Sequence, residues 1–284
     1  MVEKKKTGYW LTHVGLIIGV LFIFFPVWLT FVASTVTQEA ILQPPLPLLP
    51  GGEFFENYSN ALFQGGKEGY GSNEPVINML INSAIMALGI TFGKLTISIL
   101  SAFAIVYFRF PFRKTCFWLI FITLMLPVEV RIVPTYEVVA NLNLLNSYSG
   151  LIFPLIASAT ATFLFRQFFM TIPNEMVEAA RVDGCSPMRF FKDILLPISK
   201  TNIAALFVIL FIYGWNQYLW PLLMTTDPDM KTIVIAIDAM IPTGDDYGHW
   251  PTIMATAILA MLPPVIVVIS MQKFFVKGLL ESDK

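Results

Sequence analysis

The sequence predicts an all-α polytopic membrane protein with six transmembrane helices. Three observations predict it. Of 284 residues, 56% are hydrophobic and the mean hydropathy is +0.70. Only 13% are charged, about half the share usual in a soluble domain. Several apolar runs approach the ~20 residues that cross a bilayer, and the basic residues gather in alternate connections between those runs. The net charge of −1 carries no signal for nucleic acid, and no nucleic-acid partner is expected.

The first span is expected over 11–33, kinked at Pro26, after a basic N-terminus at 1–10. That start resembles a signal peptide, but no small-residue cleavage site follows the apolar run, so an uncleaved span is expected. A polar, proline-rich segment follows at 34–75. QPPLPLLPGG is too rich in proline for a helix, whereas Phe54 to Phe63 suits a short surface helix. The second span is read over 77–108, a basic RFPFRK turn over 109–114, and the third span over 116–133 with Pro127 inside it. A connector with a possible short helix occupies 135–149. The fourth span covers 150–169 and the fifth 202–224; 225–251 is polar again. The sixth covers 252–271 and contains Pro263-Pro264, and 273–284 is a tail. Residues 76–272 thus form a five-helix core.

Six spans put both termini on one side. The far side holds Lys67, Arg131 and Lys231, and Lys94 lies within a span; the other 14 of the 18 basic residues share the side of the termini, which is therefore expected to be cytoplasmic. Trp28, Trp220 and Trp250 are expected at the outer interface, Trp10 and Trp118 at the inner one. Cys116 and Cys185 make no disulfide framework and no metal-ligand spacing. His13 and His249 stand alone. No nucleophile–base pair, no HExxH and no intramembrane carboxylate pair occurs, so neither a catalytic nor a metal site is expected. No selectivity-filter-like sequence supports the remote alternative of a channel.

The most polar interior stretch is 171–200. Asn174, or Thr171 ahead of Pro173, suits the cap of a short helix. Gly184 suits its left-handed end. Ser186-Pro187 then reads as a cap followed by proline at the first helical position. Phe190, Phe191, Ile194 and Leu195 follow at helical spacing and are expected to face apolar material.

Inside the second span, Ser83, Ala87, Thr91, Lys94, Ser98 and Ser101 fall on one helix face. An ammonium in hydrocarbon is costly, so Lys94 is expected to face the bundle interior or water. It either lines a path or pairs with a carboxylate. Gly89 to Lys94 imitates a phosphate-binding loop, but it has one residue too few and Leu95 replaces the required Ser or Thr. Gly89 and Gly93 read instead as a close helix–helix contact, and the chain is expected to bind no ATP or other cofactor. Glu129 and Arg131 sit near the outer end of the third span. Asn216 and Gln217 lie among aromatics in GWNQYLWPL, a mixture suited to a hydroxylated solute.

Glu178-Ala179-Ala180, three residues, Gly184, nine residues, then Ile194, Leu195, Leu196-Pro197 matches EAA-x3-G-x9-I-x-L-P at every fixed position. This resembles the EAA loop of the membrane subunits of binding-protein-dependent ABC importers. GWNQYLWPL resembles the WN-x4-PL pattern of their carbohydrate-permease branch. Over the whole chain, LMLPVEVRIVPT and SATATFLFRQFFMTIPNE included, the sequence is similar to the second permease subunits of bacterial sn-glycerol-3-phosphate importers. The resemblance implies a type I ABC importer permease fold in the bacterial inner membrane. It implies a periplasmic 34–75 segment and a non-catalytic subunit forming half of a path for sn-glycerol 3-phosphate or related glycerophosphodiesters. A neutral sugar or polyol is the alternative substrate. The implied partners are a second permease, two cytoplasmic ABC ATPase subunits that carry ATP and Mg, an outer solute-binding protein, and membrane lipid. It assigns ATPase coupling to Glu178, Ala179, Ala180, Asp183, Gly184, Ile194 and Pro197. The candidate path residues are Lys94, Thr91, Ser98, Glu129, Arg131, Asn216 and Gln217.

Overall fold

The computed structural model describes residues 6–67, 70–71, 75–123, 128–241 and 248–281. Apart from a two-residue antiparallel pairing of 66–67 with 70–71, its described regular elements are helical. In chain order the α-helices are α1 (Lys6–Ala33), α2 (Gln38–Leu42), α3 (Phe54–Gln64), α4 (Val76–Tyr107), α5 (Arg113–Ile122), α6 (Val128–Asn141), α7 (Tyr148–Ile152) and α8 (Ala159–Met170). Then follow α9 (Asn174–Val182), α10 (Pro187–Phe190), α11 (Leu196–Ile198), α12 (Lys200–Trp215), α13 (Leu219–Met224), α14 (Ile233–Met240) and α15 (Trp250–Glu281). The chain divides into two compact units, 1–79 with 236–262, and 80–235 with 263–284.

In the first unit, α1 runs bare: only 11% of its apolar window is buried, and Phe22 and Ile23 are exposed. Only its last turn is covered, where Val32 and Ala33 are buried, and the rest of the helix, apolar on all sides, suits a lipid environment. Below it, the proline-rich chain is pinned by side-chain hydrogen bonds rather than by regular structure. Asn57 Nδ2 donates to the carbonyls of Ser34 and Val36, both at 3.1 Å. The Gly51 amide donates to Thr35 Oγ1 at 2.9 Å, and a Cβ on Gly51 would lie 2.6 Å from the Thr35 carbonyl oxygen. Gln38 links both of its amide ends to the start of α15, donating to the Gly248 carbonyl and accepting from the Trp250 amide, each at 2.9 Å.

The second unit packs around α4. A Cβ on Gly89 would lie 2.6 Å from Ile152 Cδ1, and one on Gly93 would collide with the Ile156 side chain. The two glycines, one helical turn apart, thus admit two isoleucines one turn apart, as expected from the spacing. Gly214 on α12 meets the Ala87 Cα in the same way, at 3.0 Å from a built Cβ. One buried cluster joins α4, α8, α9, α10 and α12 through Phe103, Phe165, Phe169, Ala180, Phe190 and Leu195. A second joins α4, α6, α7 and α13 through Ile90, Val139, Leu151 and Trp220.

Among the described residues three helices are long and apolar enough to cross a membrane, or up to five spans if each of two bent pairs is one crossing. The expected third span runs through 124–127, outside the described residues. The expected fourth span is not continuous. It bends by 47° between Tyr148–Leu155 and Ala159–Thr171, and Ser158 restarts it by accepting from the Ala161 amide. The expected fifth span ends early, at Trp215; residues 216–218 are non-helical and α13 follows. Residues 225–251, expected to be polar connection, contain α14, whose Ile233, Ile235 and Ala236 are buried. Trp220 is part of the core: it is 3% exposed and donates to the Leu151 carbonyl at 3.2 Å.

Candidate functional site

The helix–corner–helix at 171–200 forms as the sequence requires, with two corrections. Pro173 takes the N-cap position of α9 and no side chain caps it. Asn174 is instead the first helical residue, and the Thr171 hydroxyl turns back to the Phe168 carbonyl at 2.7 Å. At the other end Gly184 adopts φ +69°. The Cys185 amide reaches the Ala180 carbonyl at 2.9 Å and the Gly184 amide that of Arg181 at 3.0 Å, a closure that needs a left-handed residue. Ser186 then caps α10, accepting from the Arg189 amide at 3.3 Å.

The loop has an inner and an outer face. Val177, Ala180, Phe190, Phe191 and Leu195 pack into the first cluster, with Ile194 against its edge. Glu178, Ala179, Asp183, Gly184 and Pro197 are exposed. Ala179 therefore leaves room for an approaching surface, while the small size of Ala180 serves packing within the chain. Met176 and Val182 flank Ala179 on the outer face and are exposed, Val182 at 88%, with Met188 beyond the corner. Sequence reasoning passed over these three. The signal for Met176 and Val182 was an apolar side chain three residues on either side of Ala179 on an otherwise polar helix. Residues Phe191–Leu195 form a π-helical turn ahead of Pro197, and the chain bends by 74° between Pro187–Ile198 and Lys200–Trp215. Proline lacks the N–H that would bond four residues back and crowds that carbonyl; the widened turn accommodates it.

The candidate path residues are not all alike. Thr91 and Ser98 are fully buried and their hydroxyls are spent locally, on the Ala87 carbonyl at 2.6 Å and the Ser158 carbonyl at 3.2 Å. Ser83 likewise accepts from the Ile233 amide at 2.8 Å. Lys94 differs. It is 7% exposed, and its Nζ lies 3.6 Å from the centroid of the Tyr213 ring. Among the described residues no carboxylate forms an ion pair with it. Arg131 is exposed. Gln217 Nε2 donates to the Tyr213 carbonyl at 3.0 Å, which satisfies an acceptor left over where α12 stops. Asn216 is exposed at that break. The Glu129 side chain lies outside the described residues. The structure thus brings Lys94 and Gln217 to Tyr213, which the sequence had not singled out. The missed signal was Tyr213 one turn before Gln217 on a shared helix face.

Non-helical backbone inside an apolar span is tolerated where protein or a water-lined cavity covers it. A broken helix beside a buried cation, in a chain with several helices apolar enough to cross a membrane, marks a polytopic membrane protein. The chain belongs to the family of binding-protein-dependent transport system inner membrane components, whose profile it matches over residues 94–281. It is 56% identical over 285 residues to the sn-glycerol-3-phosphate transport system permease protein UgpE of Salmonella typhi. It is 58% identical over 288 residues to the protein of that name from Escherichia coli O157:H7, and 56% identical over 284 residues to that of Rhizobium meliloti. Each comparison covers 100% of both chains. The fold is also that of a chain in the crystal structure of a bacterial ABC transporter involved in the import of the acidic polysaccharide alginate. That match has a TM-score of 0.80 at 19% identity and covers 97% of this chain and 100% of the other.

Proposed function

We propose that this chain is one of two permease subunits of an ATP-driven importer for sn-glycerol 3-phosphate or related glycerophosphodiesters. Its full-length likeness to permeases bearing that name supports the substrate class. The single structural observation that carries it is Lys94, a buried ammonium held against Tyr213 without a carboxylate among the described residues. A phosphate ester crossing a low-dielectric region needs a fixed cation to offset its desolvation, and one lysine binds phosphate as a point charge with three donors. Both termini and the 171–200 loop lie in the cytoplasm, where the basic residues concentrate. Met176, Ala179 and Val182 form the face that docks on one of two ATPase subunits, and ATP and Mg reside there rather than on this chain. The 34–75 segment lies outside and meets the solute-binding protein; exposed Phe55 suits that contact, whereas Asn57 is consumed in holding the segment together. A second reading, a neutral sugar or polyol, draws on the aromatic and amide groups at the 216–218 break. Uptake by the reconstituted complex tests the two, with glycerol 3-phosphate and neutral polyols in competition. Undiminished phosphate-ester uptake in Lys94→Gln, or efficient competition by neutral polyols, refutes the phosphate reading.

A further inference from the structure

A cavity of about 480 Å³ opens where α4 and α8 end and α5 begins. Three cations line it: Arg113, Lys114 and Arg166. Among the described residues no acidic side chain does. The remaining wall is apolar and includes Phe117, Trp118 and Met170. Two of the cations are pre-set. The Arg166 guanidinium stacks over the Phe117 ring, 4.1 Å from its centroid, and Arg113 donates to the Phe108 carbonyl at 3.3 Å. Trp118 is 57% exposed, and Leu119 and Ile122 continue an uncovered apolar surface along α5. A second, more open hollow of about 570 Å³ shares Arg113 and Lys114 and adds Arg109, again with no acidic residue among the described ones.

We infer that this cavity is a binding site for an anionic phospholipid. The charge complements a phosphodiester headgroup, and the apolar wall continues down α5 in the direction an acyl chain takes. Basic pockets at the ends of spans hold such headgroups, and a tryptophan at that depth places an amphipathic ring at the boundary. The rigid stacked guanidinium loses little freedom on binding, and arginine matches phosphate oxygens in pairs. This assignment does not depend on which solute the complex carries.

The test uses the assembled complex in phosphatidylcholine nanodiscs and reads quenching of Trp118, isolated by difference against Trp118→Phe. Brominated phosphatidylglycerol and brominated phosphatidylcholine are titrated separately, and inorganic phosphate is added as a competitor. The anionic lipid is expected to half-quench at a mole fraction about tenfold lower than the zwitterionic one. Loss of one basic residue near the surface weakens anionic preference about fivefold, so Lys114→Gln should show that loss, and Arg166→Lys, which keeps the charge but gives up the stacked planar fork, should weaken the preference as well. Three results overturn the assignment. Equal quenching by both headgroups shows ordinary lipid contact. Displacement by millimolar inorganic phosphate shows a free-anion site. Absence of quenching by either lipid shows that a protein subunit covers the cavity.

Discussion

Lys94 on α4 holds its ammonium 3.6 Å from the ring centroid of Tyr213 on α12. A desolvated cation over an aromatic face gains about 2 kcal/mol or more, which offsets part of the cost of burying it. Lys94→Gln is expected to lower phosphate-ester uptake at least tenfold while assembly and basal ATPase activity persist. Tyr213→Phe keeps the ring and should retain most uptake. Poor assembly of Lys94→Gln with every solute would show a structural lysine instead.

The outer face of α9 is expected to work through contact rather than charge. Val182→Asp and Met176→Asp should leave membrane insertion unchanged and uncouple ATP hydrolysis from uptake. Gly184→Pro should do the same, since proline cannot adopt φ +69° and removes the bond to Arg181. ATPase and transport rates measured on one preparation decide; tightly coupled variants would contradict the docking face.

Gly89 and Gly93 are expected to tolerate no larger side chain. Gly89→Leu should cost about 1–3 kcal/mol by overpacking against Ile152. Ile152→Ala in the same chain should restore part of the loss, because the two sites share one volume. Thermal unfolding of the purified complex reads both, and strictly additive effects would show that the contact is not made.

Asn146 clamps the segment after α13. Its Oδ1 accepts from the Thr226 and Asp227 amides at 2.7 and 3.0 Å, and its own amide reaches the Met224 carbonyl at 3.0 Å. Its φ is +53°, so Asn146→Gly keeps the backbone and removes only the side-chain bonds. Faster amide exchange at 226 and 227 is expected, with Ala205 and its neighbours on α12 unchanged.

Single-cysteine labelling from each side reads the topology in a background lacking Cys116 and Cys185. Position 184 should label from the cytoplasm and position 55, whose side chain is exposed, from outside. Outside labelling at 184 would reverse the assignment of the coupling face.

Much of this molecule is set locally, and those parts are legible in the sequence. Gly184 and Ser186-Pro187 act within a few residues of themselves, so the helix–corner–helix follows from their backbone preferences. The bare apolar α1 and the long α4 follow from length and hydropathy, and the Gly89 and Gly93 spacing fixes a helix contact. Hydropathy averages over a window, however, and the residues on both sides of the 216–218 break are equally apolar, so the sequence reads a continuous fifth span. The same averaging hides α14 in a polar neighbourhood. Tertiary packing alone decides that Ala180 faces inward while Ala179 faces out, and that Trp220 is core. It alone sets Lys94 against Tyr213. Those residues are separated by more than a hundred positions, and only the folding of α12 against α4, made close by Gly214 on Ala87, brings the charge and the ring together.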